Sequence, residues 1–124
     1  MTPSYPEFIP QAGACLVTLN AYEGKAPVRW MVREKSKAPA DNGWIIMSAA
    51  DTTEYMNDTA NWRITSFNEM CGIEPALISI YDMPVGSDLG LVRDETGIHI
   101  VDNISGREIT SEYFYVPPQF RAES

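Results

Sequence analysis

The sequence predicts an α+β fold, a mainly antiparallel β-sheet with two or three short helices packed on it. Three observations carry that expectation. Strand-like segments arrive in neighbouring pairs, and the helical segments are grouped in the middle of the chain. That pattern suggests a mainly antiparallel sheet rather than a βαβ parallel fold. The 124 residues, 44% of them hydrophobic, suit one domain with a single core.

Residues 1–13 hold three prolines and no periodicity, and read as an extended arm leading into a domain over residues 14–116. Ala14 to Leu19 is an apolar run of strand length. Asn20 to Lys25, with Gly24, reads as a turn. From Val28 to Glu34, Val28, Trp30 and Val32 alternate with Arg29, Met31 and Arg33, the period of a half-buried strand. Trp30 should face inward and Arg29 and Arg33 should be wet. The short connection predicts that this strand pairs antiparallel with the first. Lys35 to Asn42 is polar, contains a proline and reads as a loop.

Gly43 to Asp58 is the most ordered stretch. Trp44 to Met47 follows the turn signal Asp41-Asn42-Gly43 and reads as a buried strand. Asp51 stands three residues before Glu54, the spacing of a capping box, so a short helix holding Tyr55 and Met56 should begin there. Trp62 to Thr65 reads as a strand. Ser66 and Glu69 repeat the box spacing ahead of a helix from Phe67 to Cys71, which Gly72 should stop. Glu74-Pro75 restarts a helix, since proline suits the first helical position. Leu89 to Arg93 and Ile98 to Val101 flank Asp94-Glu95-Thr96-Gly97 as a hairpin. Ile109 to Val116 reads as a final strand, and residues 117–124 as a frayed tail.

Composition narrows the function classes. A net charge of −8, from 17 acids against 9 bases, works against nucleic-acid binding, which needs a basic face. The charge is uneven: from Asp51 onward there are 13 acids and 4 bases, whereas Lys25, Arg29, Arg33, Lys35 and Lys37 gather earlier. No apolar run approaches the roughly 20 residues that span a bilayer, and the N-terminus lacks a signal-peptide pattern, so a cytoplasmic protein without membrane association is expected. Cys15 and Cys71 lie in apolar segments and read as buried thiols rather than a disulfide.

Reactive constellations are sparse. His99 is the single histidine, sits in an alternating strand and reads as an edge or surface residue without metal-ligating partners at usable spacing. A nucleophilic triad would have to use that same histidine, and nothing around it favours one. Gly86 and Gly90 have the wrong spacing for a phosphate loop. Asp51, Glu54 and Asp58 could share one helix side and act as acid and base, but capping already accounts for the first two. No metal and no cofactor is expected. Trp30, Trp44 and Phe67 read as core. Tyr55, Trp62 and the Tyr113-Phe114-Tyr115 cluster are candidates for an exposed protein-binding surface.

Taken in order, ACLVT, the W-M-V-R-E strand, D-N-G-W, D-x-x-E-Y-M, C-G-I-x-P and P-V-G-S resemble a bacterial family of small domains assigned to the immunity proteins of polymorphic toxin systems. The resemblance spans about residues 14–91 and leaves outside it the arm and a C-terminal hairpin and strand over about residues 90–116. It implies a non-enzymatic protein that binds and blocks a cognate protein toxin. The acidic balance agrees, because opposite charge speeds capture of a basic partner. On that reading Asp51, Glu54, Asp58, Asp82 and Asp88 supply an acidic face, with Tyr55 or Trp62 as anchors. An alternative is a small enzyme or ligand-binding domain with Asp51 or Glu54 turned into a cleft beside the Trp44 strand. A third is a housekeeping domain that self-associates through edge strands. Either a monomer or a homodimer is compatible with the sequence.

Overall fold

A computed structural model describes residues 7–121; the outer part of the arm, residues 1–6, and the last three tail residues lie outside the described chain. The architecture is α+β. Seven strands form one sheet: β1 (Ala14–Thr18), β2 (Val28–Arg33), β3 (Asp41–Ser48), β4 (Trp62–Ser66), β5 (Asp88–Asp94), β6 (Gly97–Asp102) and β7 (Glu108–Ile109). Their order is β4-β1-β3-β2-β5-β6-β7, and every pairing is antiparallel except β1 with β3. The helices are short: α1 (Leu19–Tyr22), α2 (Thr53–Met56) and α3 (Phe67–Ile73), followed by a 3-10 helix over Pro75–Ile80.

The expected β1–β2 pair does not form. β3 lies between them, because β2 and β3 close as a hairpin and β1 adds to the far side of β3, running parallel to it. The continuous apolar run of β1 fits this inner position, with Cys15, Val17 and Thr18 buried between two neighbours. The segment read as a turn after β1 begins with α1, which carries the chain across the end of β3 toward β2.

The alternation expected along β2 is also interrupted. The register shifts between Val28 and Trp30, where Val28 pairs with Ser48 and Trp30 with Met47. One extra residue reverses which face the following side chains occupy. Met31 is therefore fully buried, while Trp30 stands on the open face under the Arg29 guanidinium, 3.8 Å from its ring centroid. Arg33, expected to be wet, turns into the helical layer. Its Nη1 donates to the Met83 carbonyl at 2.6 Å and its guanidinium lies over the Trp44 ring. The Trp44 indole N–H donates to the Tyr81 carbonyl at 3.0 Å, so both side chains tie the sheet to the end of the 3-10 helix.

Trp44 and Phe67 lie in the core as expected, with Val17, Ile46, Met70, Leu77 and Ile80. The described part of the arm joins them: Ile9 is fully buried. Gly72 does not stop α3; the helix runs on to Ile73, and Glu74 ends it in the extended conformation that a following proline imposes. The Glu74 carboxylate then caps the 3-10 helix through the Ala76 N–H and pairs with Arg93 of β5. Instead of a long final strand there are only the two residues of β7. The aromatic run beyond turns toward the helices, with the Tyr115 N–H on the Ser79 carbonyl and its ring against Tyr81.

Candidate protein-binding surface

Five of the residues singled out in the sequence gather where β3 ends. Asp51 does not cap α2. Its carboxylate accepts from the Ser48 N–H at 2.6 Å, the Ser48 hydroxyl at 2.8 Å and the Asn20 side chain at 2.9 Å, so it closes the turn at the end of the strand. The buried Thr18 hydroxyl faces the same carboxylate without a well-formed hydrogen bond among the described residues. Thr52 caps the helix instead, accepting from the Tyr55 N–H. Glu54 is left exposed in the first turn. Asp58 caps the next 3-10 turn through the Ala60 N–H. The Trp62 indole N–H donates to the Met56 carbonyl at 2.7 Å, and Asn61 donates to the Tyr55 carbonyl. Tyr55 and Trp62 are both half-buried, bracing this corner while offering part of each ring to solvent.

Asp82 and Asp88 lie elsewhere. Asp88 opens β5 opposite Val32, near the end of β2 that pairs with Trp44. Asp51 follows Ser48, four residues along β3 from Trp44, or about 13 Å at the rise of a strand. The acids thus form two groups at opposite ends of the central strands.

Asp82, from the second group, lines a groove of about 840 Å³. One wall is the loop from Asp82 to Ser87; the other is the chain from Asp102 through β7 to Tyr113. Leu89 of β5 and Ile109 of β7 lie at its floor. Three large apolar side chains stand around this depression: Val85 is 60% exposed, Ile104 76% and Tyr113 69%. Asp82, Asp102 and Glu108 bring three acids to the lining against a single base, Arg107. Sequence reasoning named Asp82 and Tyr113 but missed the groove that they share. The available signal was Val85 inside one turn and Ile104 inside another, apolar residues at positions that turn chemistry does not need.

Reactive chemistry is weakly supported by the geometry. Burial alone would raise the Asp51 carboxyl, but Thr18, Ser48 and Asn20 outweigh it and hold the group below the ordinary aspartate range. A general base is tuned the other way, toward neutrality. The cavity beside the Trp44 strand, about 270 Å³, is lined by neither Asp51 nor Glu54; its acids are Glu34 and Asp41. Cys15 and Cys71 are buried free thiols, and burial pushes both upward, away from the reactive thiolate. His99 sits at the surface between Glu108 and Asp94. Among the described residues no group of three or more His, Cys, Asp and Glu side chains is placed to hold a metal ion. No described helix is long and apolar enough to cross a membrane.

No curated protein and no solved structure matches the chain. The family model for the Immunity protein Imm33 domain does, over residues 15–101, from the second residue of β1 to within one residue of the end of β6. That span is well over half of the sequence and takes in β3, the α2 corner and one wall of the groove. The chain belongs to the Imm33 family of immunity proteins.

Proposed function

We propose that this protein is a non-enzymatic cytoplasmic inhibitor that binds a cognate bacterial toxin and neutralises it through an acidic surface. The observation that carries the reading is the immunity-domain match across residues 15–101. Charge supports it. Glu54 and Asp58 at one end and Asp82 at the other are exposed, and Asp88 stands half-buried beside Asn103. Such groups steer a basic partner and set the association rate, while half-buried rings such as Tyr55 and Trp62 supply the anchoring contact. Asp51 serves this surface indirectly, by fixing the corner from which Glu54 and Tyr55 project.

The test is capture from the native bacterium on the full chain and on a Glu54→Lys, Asp58→Lys, Asp82→Lys variant. Asp51 is kept, because its loss would unfold the corner. A basic toxin retained by the wild type and released by the folded variant is the expected result. Equal retention on both would contradict an acidic binding surface. Recovery of the chain alone would favour self-association through the edge strands.

A further inference from the structure

We propose that the groove between the Asp82–Ser87 loop and the Asp102–Tyr113 segment is where the toxin is gripped and told apart from other toxins. Its occupant would be a protruding toxin segment carrying an aromatic or aliphatic side chain flanked by lysine or arginine. The proposal rests on the immunity reading above and adds the place and the chemistry of the contact.

Two properties of the groove choose this occupant. Its apolar elements, Val85, Ile104 and Tyr113, are held out from turns and a 3-10 helix, where they contribute little to the core. Burying them needs an apolar insert. Around them the acids outnumber the one base, and the Asp82 carboxylate takes no hydrogen bond or ion pair among the described residues. An insert with a cationic flank satisfies Asp82 at the rim, where charge governs partner choice, while the apolar tip fills the centre. At about 840 Å³ the groove has room for several side chains of a protruding segment.

The two walls differ in kind. The Asp82–Ser87 wall lies inside the span matched by the family model, and the Asp102–Tyr113 wall lies beyond its end at residue 101. A wall inside the shared domain facing a wall outside it lets a scaffold meet its own partner without altering the domain. Discrimination between toxins therefore belongs to Ile104, Arg107, Glu108 and Tyr113, and general grip to Asp82 and Val85.

The experiment titrates the toxin recovered on the wild-type chain, once identified by mass spectrometry and purified, against four proteins. These are the wild type, Ile104→Ser with Tyr113→Ser, Asp82→Lys with Val85→Ser, and Ile64→Ser on the open face as control. All four substituted groove residues are exposed, so folding should survive, and melting temperature verifies it. The account expects each groove variant to lose about thirtyfold or more in affinity, the scale of an interface hot spot, with the control within about threefold of wild type. Groove variants that bind like wild type would overturn the proposal and leave the immunity reading standing. A wild type that binds no toxin would overturn both. Sedimentation velocity runs alongside, and a dimer of the free chain that dissociates on Tyr113→Ser would put a second copy in the groove and overturn the assignment to a toxin.

Discussion

Asn68 and Ile9 are joined edge to edge. The Asn68 side-chain oxygen accepts from the Ile9 N–H at 2.9 Å, and its amide donates to the Ile9 carbonyl at 2.9 Å. One side chain of α3 thus does for the arm what a neighbouring strand would do, and it takes the Phe8 N–H as well. Replacing Asn68 by Ala leaves two backbone groups of a fully buried residue without partners. The expected loss is about 2–4 kcal/mol of stability, at the usual cost of one buried unsatisfied group each. Urea denaturation measures it; a loss under about 0.5 kcal/mol would mean that Ile9 is not held in the folded domain.

Gly43 predicts a second sensitive position. Its φ of +86° is one that side chains rarely adopt, and a Cβ there would meet the Glu34 carbonyl oxygen across the β2–β3 pair. The residues that carry the turn signal, Asp41-Asn42-Gly43, are the first three of β3. Gly43 lets the strand kink while its N–H bonds the Asp41 carboxylate and its carbonyl takes the Glu34 N–H. Gly43→Ala should cost more than about 2 kcal/mol, the strain of the backbone plus the displacement of Glu34. A variant with wild-type stability in thermal melts would contradict that geometry.

Proton binding at His99 gives a third. Hydrogen bonds donated to the Glu108 and then the Asp94 carboxylate raise its pKa above the ordinary histidine value, and the Thr96 hydroxyl closes the cluster. Because the folded value is the higher one, the stabilisation is full below the unfolded value near 6.5 and fades as pH rises through the folded value. Asp94 behaves oppositely. The Thr96 hydroxyl and amide chiefly hold it down to about 2, so its contribution is present above the unfolded value near 3.8 and is lost as pH falls through about 2. An NMR titration should place the His99 pKa above 6.5, and Glu108→Gln should bring it down. A wild-type value at or below 6.5 would contradict the clip between β6 and β7.

The cysteines give a fourth expectation. Cys71 is pushed up to about 12 by burial, and burial together with the Cys71 thiol, Asp41 and Glu69 drives Cys15 higher still. Neither should react with a disulfide reagent at pH 8 while the chain is folded, and both should react in denaturant. Rapid labelling of the native protein would mean that β1 and α3 open locally.

These same residues explain what the sequence could and could not reveal. Fold class, the β5–β6 hairpin and the burial of Trp44 and Phe67 follow from local pattern and turn chemistry, and were legible. The partner of β1 was not, since strand adjacency is a non-local choice that a short connection does not fix. In β2 a single extra residue exchanged the fates of Trp30 and Met31, and periodicity carries no mark of a bulge. At α2 two adjacent residues could cap, Asp51 and Thr52. The contacts that recruit Asp51 elsewhere come from Ser48 and from Asn20, thirty-one positions away. The groove was invisible for a related reason: its walls lie far apart in sequence and come together only through the pairing of β5, β6 and β7.

The central claim is neutralisation, and growth rescue tests it most directly. The toxin recovered by capture is expressed from an inducible promoter in a susceptible bacterium, with the chain supplied from a second plasmid. The account predicts that the wild type restores growth and that the folded Glu54→Lys, Asp58→Lys, Asp82→Lys variant fails to. Cells that stop growing despite abundant folded wild-type protein would contradict it.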